Sequence, residues 1–136
     1  MKTKIISVIL LSAAFILTGC GGSQSDPIKT AEKFAKAWYS LDYDTCNDLS
    51  EREEFVYEKD MGSMERKFMK EMQKEAKKMN YVIKVNKEET EIWDTLDEAY
   101  VELIITGKDG FKYEGDVRLS RTDDGKWFVH RYDLEM

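Results

Sequence analysis

The stretch Glu98–Thr106, EAYVELIIT, decides the fold, because it is apolar on both faces and two further strand-like runs follow it. The first of them, Phe111–Leu119, alternates apolar with charged residues. The second, Lys126–Leu134, is rich in aromatic residues. Turn signals separate the three runs, KDG at residues 108–110 and DG at residues 124–125. Because such short turns join antiparallel neighbours, we predict a strand meander with Glu98–Thr106 at its centre.

Before this meander the sequence predicts helices and one shorter strand. Tyr81, Ile83 and Val85 alternate with other residues, as they would in a strand. Asp26 and Pro27 are typical of the N-cap and the first position of a helix. Residues 45–49 predict a short second helix. The apolar stripe expected along the first helix is Ile28, Ala31, Phe34, Ala35, Trp38 and Leu41.

A third helix is predicted over Ser63–Met79, and it is rich in methionine. At about 100° per residue its apolar side chains fall on one side, opposite lysine and glutamate. Two Met-x-x-Met spacings could bind Cu(I) through thioethers, but packing into the core explains the same pattern, so no metal site and no cofactor is predicted. The side chains expected in the core are Met64, Phe68, Met69, Met72, Ala76 and Met79.

Helices that precede a strand meander predict an α+β fold. In this fold the N-terminal helices pack on a curved antiparallel sheet of about four strands. Cys46 falls in the short second helix and is expected to be buried as a small apolar residue. Acidic neighbours at Asp44 and Asp48 disfavour a reactive thiolate there.

The first twenty residues predict a lipoprotein signal sequence. Lys2 and Lys4 precede an apolar run over residues 5–17, which is shorter than the ~20 residues that span a bilayer. Residues 17–20, LTGC, resemble the lipobox of lipoprotein signal peptidase, with Cys20 as the lipidated residue. We therefore expect a signal peptide at residues 1–19, a lipidated cysteine and flexible tether at 20–25, and one domain at 26–136. A lipid on Cys20 would anchor the domain at the extracytoplasmic face of the cell membrane.

The chain is acidic, with a net charge of −6. Removal of residues 1–19, which contain Lys2 and Lys4, leaves 19 basic residues against 27 acidic ones. An acidic surface repels the phosphates of nucleic acids. We therefore expect no nucleic acid among the partners, and membrane contact through the lipid anchor alone.

Short motifs of the predicted domain resemble the small bacterial lipoproteins of the cystatin-like, nuclear-transport-factor-2-like superfamily. The motifs are residues 26–34 and 41–43 near the first helix, AYVEL at 99–103 and TDDGKWFV at 122–129. The resemblance covers most of the chain from Asp26 onward, with residues 51–61 matching poorly. It implies a cone-shaped domain whose curved sheet wraps a long helix. Such families are largely of unknown function and include both enzymes and dimerising proteins, so the resemblance implies architecture and not activity.

The open face of the sheet is the predicted interaction surface. Exposed aromatic patches are typical of interfaces, so this face would bind a protein partner or a second copy of the chain. In the alternative arrangement, helix residues or the segment Glu51–Tyr57 cover the patch. The predicted interface residues are Tyr100, Ile104, Phe128, His130 and Tyr132.

No catalytic residue and no enzymatic activity is predicted. His130 is the only histidine, and alternation along its strand places it opposite Trp127 and Val129, away from the interior. We expect a membrane-anchored extracytoplasmic lipoprotein that acts as a non-enzymatic binding or scaffolding module. Two alternatives remain open. One is a carrier of a small apolar ligand in the cone cavity, and the other is an exclusion or transfer-machinery factor of a mobile element.

Overall fold

The computed structural model describes residues 22–135, so the predicted signal peptide and Cys20 lie outside the described residues. No helix within residues 22–135 is long and apolar enough to cross a bilayer. Short 3-10 turns cover Gly22–Ser25, Glu58–Asp60 and Asp94–Leu96. The helices are α1 (Pro27–Tyr39), α2 (Tyr43–Asp48) and α3 (Ser63–Lys78), and the strands are β1 (Val82–Val85), β2 (Glu91–Trp93), β3 (Glu98–Thr106), β4 (Lys112–Arg121) and β5 (Trp127–Asp133).

The strands form one antiparallel sheet in the order β1-β3-β4-β5. β2 pairs with residues 98–100 of β3, beyond the part of β3 that pairs with β1. Tight turns at Gly110 and Gly125 connect β3 to β4 and β4 to β5, with positive φ angles of 84° and 85° that favour glycine. The predicted α+β class and the predicted meander with β3 inside the sheet are confirmed.

Helix α1 covers the inner face of the sheet. Asp26 caps its start, where the carboxylate accepts a hydrogen bond from the backbone N–H of Ile28 at 2.9 Å. Phe34 is fully buried and lies in one core cluster with Val101 of β3 and Val117 of β4. Cys46 of α2 belongs to the same cluster, and its predicted burial is confirmed. Burial, followed by the charge of Asp42, raises the pKa of the Cys46 thiol to about 12, so the thiol stays protonated.

Helix α3 does not contribute to the core, and the predicted packing of its methionine side is wrong. None of its residues is buried, and the side chain of Phe68 is 67 % exposed. The helix is held at its edge, where Gln73 Nε2 donates to the backbone oxygen of Leu41 at 3.0 Å. The inner face of the sheet is instead covered by α1. The apolar residues of α3 that are exposed are Met64, Phe68 and Met72, with Met79 at its C-cap.

A β-bulge interrupts the pairing of β4 with β5 at His130. Leu119 pairs with Val129, whereas Arg118 pairs with Arg131, so His130 is the extra residue. From this point onward the side chains of β5 alternate in the opposite phase. As a result Tyr132 pairs with the buried Val117 and points to the inner face.

The domain begins inside the segment predicted to be a tether. Residues Gly22–Ser25 form a 3-10 turn, and Gln24 Nε2 donates to the backbone oxygen of Trp127 at 3.2 Å. A side-chain amide thus ties this turn to the start of β5. Gln24, which forms this contact with the sheet, lies four positions after Cys20 in the sequence.

Candidate functional site

A groove of about 370 Å³ lies on the outer face of the sheet, the face turned away from α1. This volume falls within the range of small-molecule binding sites. We call it the outer groove. Its lining includes two aromatic side chains, four charged ones, a serine and a histidine: Trp93, Tyr100, Glu51, Glu98, Arg118, Arg131, Ser120 and His130.

One side of the outer groove is built by the segment that follows α2. Its backbone runs beside β5, with the N–H of Val129 donating to Leu49 at 2.7 Å and the N–H of Glu51 donating to Val129 at 2.9 Å. Asn47 stabilises the same segment, since its side-chain amide both donates to and accepts from the backbone of Phe55. These contacts place the Glu51 carboxylate over the sheet.

Glu51 joins β4 and β5 through its carboxylate. Ser120 Oγ donates to Glu51 Oε2 at 2.7 Å, and His130 Nδ1 lies 2.7 Å from Glu51 Oε1. Partial burial alone would raise the pKa of Glu51, but the hydrogen bonds from Ser120 and His130 outweigh it and lower the pKa below its usual value. Because an ionised carboxylate only accepts, His130 Nδ1 carries the hydrogen of this bond.

Two arginines of the outer groove lie next to each other in the sheet. Arg118 of β4 and Arg131 of β5 are directly opposite in the strand register, and both line the cavity. The guanidinium of Arg118 also lies over the ring of Tyr100, at 5.4 Å from the ring centroid. Within residues 22–135, neither arginine has a carboxylate within 4.0 Å of its guanidinium nitrogens, whereas Arg121 has two, from Asp94 and Asp97.

The contacts of Arg121 hold the turn that precedes β3. They close the turn between β2 and β3, at distances of 3.1 Å to Asp94 and 2.7 Å to Asp97. Trp93 ends β2 directly before this turn and pairs with Glu98, so it lies on the outer face. Trp93 is 41 % exposed and adds an aromatic ring to the lining of the cavity that the two arginines also line.

A second cavity of about 420 Å³ adjoins the outer groove across β5. The two cavities share His130 and Arg131, and the second one adds Arg52 and Glu54. The second cavity is also lined by Val129 and Tyr132, so it is not purely polar. No group of three or more His, Cys, Asp or Glu side chains suited to a metal ion occurs in the described part of the chain.

The predicted interface residues do not all share a face. Tyr100, Ile104 and Phe128 are half-buried residues on strands β3 and β5, and their register partners on β4 are Arg118, Glu114 and Ser120. The predicted position of Tyr132 is wrong, because the bulge at His130 turns its ring inward against Phe34, with 5.0 Å between the ring centroids. The outer face is therefore more charged than the predicted aromatic patch.

The sequence-based prediction did not include several residues of the outer groove, among them Glu51, Arg131 and Ser120. Glu51 lies in residues 51–61, which match the resembled family poorly, and Arg131 reaches the outer face only because of the bulge. Ser120 was not predicted because a serine on the polar side of a strand is indistinguishable from ordinary surface. One feature of the sequence does point to a charged site on the sheet. His130 and Arg131 are adjacent in the last strand, and the strand before it carries Arg118.

The lowered pKa of Glu51 predicts an acid-dependent contribution to stability. A carboxyl group whose pKa is depressed by folding stabilises the protein above its unfolded pKa and loses that contribution as the pH falls through its folded pKa. Between about pH 5 and pH 3, the unaltered protein should therefore lose more stability than Glu51→Gln does. Urea unfolding across this range measures the difference.

Glu114→Gln is the matched control for this prediction. Glu114 is an exposed residue on the same outer face, and its carboxylate forms no hydrogen bond or ion pair with the side chains or backbone of residues 22–135. Its substitution removes a negative charge from the same face without breaking a hydrogen bond, so it shows how much of the difference comes from charge alone. Equal pH dependence in Glu51→Gln and the unaltered protein would show that the contacts of Glu51 with Ser120 and His130 do not persist in solution.

The fold and the outer groove define a small α+β domain with a mixed-charge site on its sheet. A similar architecture occurs in the crystal structure of a Campylobacter jejuni protein, a candidate NTF2-like transpeptidase. The two chains are 16 % identical, the match covers 72 % of this chain and 91 % of the other, and the TM-score is 0.46. Nothing about activity follows from a likeness at this level. No protein-family model and no curated protein matches the chain.

Proposed function

We propose that the protein is a membrane-tethered, extracytoplasmic binding module, lipidated at Cys20, whose binding site is the outer groove. The contact between Gln24 and Trp127 is the observation that carries the proposal. Four residues reach at most ~14 Å, so a lipid on Cys20 would hold this end of the domain against the membrane. The β4–β5 turn lies at the same end, because Trp127 directly follows it.

The position of the outer groove agrees with this arrangement. Ser120 and Glu98 pair near the tethered end of the sheet, one residue before β4 ends and where β3 begins. The outer groove would thus bind its ligand close to the membrane surface. The C-terminal end of α3 lies at the opposite end of the sheet, because the N–H of Lys108 in the β3–β4 turn donates to the backbone oxygen of Met79.

Binding is favoured over catalysis by the order of the hydrogen bonds. A serine nucleophile needs a base that takes its proton, usually a histidine that a carboxylate orients. In the outer groove the carboxylate lies in the middle, since Ser120 and His130 both contact Glu51. The Ser120 hydroxyl is therefore held by an ionised group that is a weak base, and the arrangement suits recognition better than attack.

The outer groove is also favoured over the cone interior as the ligand site. Side chains of α1 and the sheet fill the space between them, with Phe34, Val101 and Trp127 almost fully buried there. An apolar ligand would have to displace this packing. The outer groove is already open to solvent.

Cys20→Ser should abolish lipid attachment and release the protein from the membrane fraction. The anchor energy of ~0.8 kcal/mol per buried methylene comes from the acyl chains, which this variant cannot carry. Metabolic labelling of cells with an alkyne fatty acid, followed by fractionation, measures both effects. Cys46→Ala is the matched control and should keep the label, because Cys46 is buried in the folded domain. An unlabelled, freely soluble wild-type protein would overturn the tether.

A further inference from the structure

We propose that Arg118 and Arg131 form an oxyanion-binding subsite of the outer groove, which receives the carboxylate or phosphate group of a small ligand. The inference rests on the proposed function only in taking the outer groove as the binding site. It adds the chemical class of the ligand and the two residues that recognise it. The chain as a whole is acidic, with a net charge of −6.

The strand register brings the two guanidinium groups to the same place. Arg118 and Arg131 are Cα partners on neighbouring antiparallel strands, where opposite Cβ atoms lie about 4.5–5.5 Å apart. Residues that face each other in this way project from the same side of the sheet. Both side chains line the outer groove, so a group between them is within reach of both forks.

The bulge at His130 creates this pair. With regular pairing, His130 would lie opposite Arg118 and Arg131 would point to the inner face. The extra residue shifts β5 by one position, so a second arginine replaces the histidine opposite Arg118. Bulges often redirect a side chain beside a binding site in this way.

The electrostatic environment of the pair favours an added anion. Like charges that face each other across two strands are unfavourable, and no carboxylate within residues 22–135 forms an ion pair with either arginine. Asp116 and Asp133 are opposite each other two positions further along and offset part of the repulsion. On the groove side, the Glu51 carboxylate is already bonded to Ser120 and His130. An oxyanion could accept paired N–H bonds from both guanidinium groups and offset their repulsion.

The aromatic walls define the rest of the ligand. The Tyr100 ring lies under the Arg118 guanidinium and restricts its position. Trp93 lines the same cavity and is partly exposed. An oxyanion attached to a flat or apolar body would therefore use the arginines for its charge and the Trp93 ring for its body.

The test is calorimetric titration of the full chain, purified in detergent, with inorganic phosphate and separately with phenylacetate. We expect saturable binding of at least one probe, weakened about tenfold or more in Arg118→Gln and in Arg131→Gln, because each variant loses charged hydrogen bonds. Arg131→Lys keeps the charge but loses the fork, so it should bind with intermediate affinity. Tighter binding of phenylacetate identifies a carboxylate ligand, and tighter binding of phosphate identifies a phosphate ligand.

Lys112→Gln is the matched control, since it removes one positive charge from the same strand. Lys112 lies six positions from Arg118 on β4, or about 20 Å along the strand, and its substitution should change the affinity less than about twofold. The proposal is overturned if the unaltered protein binds neither probe saturably, or if the double variant Arg118→Gln with Arg131→Gln binds as well as the unaltered protein does. Circular dichroism of each variant confirms that its fold is retained.

The titration does not depend on the lipid anchor. A protein that binds neither probe yet is labelled at Cys20 would contradict the oxyanion subsite and leave the tether in place. A protein that binds phenylacetate but is never labelled would contradict the tether and leave the subsite in place.

Discussion

Phe34→Ala should lower the free energy of unfolding by about 3–5 kcal/mol, a large part of the stability of a typical small domain. Phe34 is 0 % exposed and lies between α1 and the sheet. Its ring contacts that of Tyr132, with 5.0 Å between the centroids. Truncation leaves a cavity between a continuous helix and a continuous sheet, neither of which can easily move to fill it. Urea unfolding followed by tryptophan fluorescence measures the loss.

Phe68→Ala provides the matched comparison for the same chemical change. Phe68 is 67 % exposed on α3, so its truncation should change the free energy of unfolding by less than about 0.5 kcal/mol. A loss in Phe68→Ala that approaches the loss in Phe34→Ala would show that α3 packs into the core. Comparison of the two variants therefore shows which of the two amphipathic helices packs against the sheet.

The sequence could not distinguish these two helices. Phe34 and Phe68 both lie on apolar stripes with helical spacing, and spacing shows that a helix has an apolar side without showing what that side contacts. The sheet has a single inner face, and α1 covers it. Which helix packs on that face depends on the loops that connect the helices to the sheet. The loop of residues 49–62 carries no apolar period that could have revealed it.

The strands were more predictable because their signals are local. β3 has apolar residues on both faces, and the turns at Gly110 and Gly125 need positive φ angles that glycine adopts readily. Alternation then identifies which side chains of β3 and β4 are buried. The link between Glu51 and β5 has no such signal, because backbone hydrogen bonds form it and any residue can supply them.

The candidate site was predicted only in part because alternation along β5 fails at one residue. Up to Val129 the inner and outer side chains follow the period of two, which correctly places Trp127 inside. The bulge at His130 then adds one residue, and every later side chain changes face. A count along the sequence therefore exchanges the faces of Arg131 and Tyr132. The first of these residues belongs to the outer groove, and the second belongs to the core side.

Tyr132→Ala should for this reason destabilise the fold, with a loss of about 2–3 kcal/mol in the free energy of unfolding. The ring is half-buried on the inner face, packed against Phe34 and Trp38 at centroid distances of 5.0 and 6.2 Å. Burial raises the pKa of its hydroxyl, as expected for a side chain on that face. Thermal or urea unfolding of the purified variant measures the loss.

Tyr100→Ala removes the same side chain from the opposite face of the sheet and is the control. Its ring contacts the exposed Arg118 and its hydroxyl bonds to Glu102, contacts that together contribute less than about 1 kcal/mol on a solvated face. The difference between the two variants in the loss of unfolding free energy tests whether the β-bulge is present. If β5 paired regularly through His130, both tyrosines would lie on the outer face and their substitution would cost similar amounts. A clearly larger loss for Tyr132→Ala places Arg131 opposite Arg118, since the same extra residue determines the positions of both side chains.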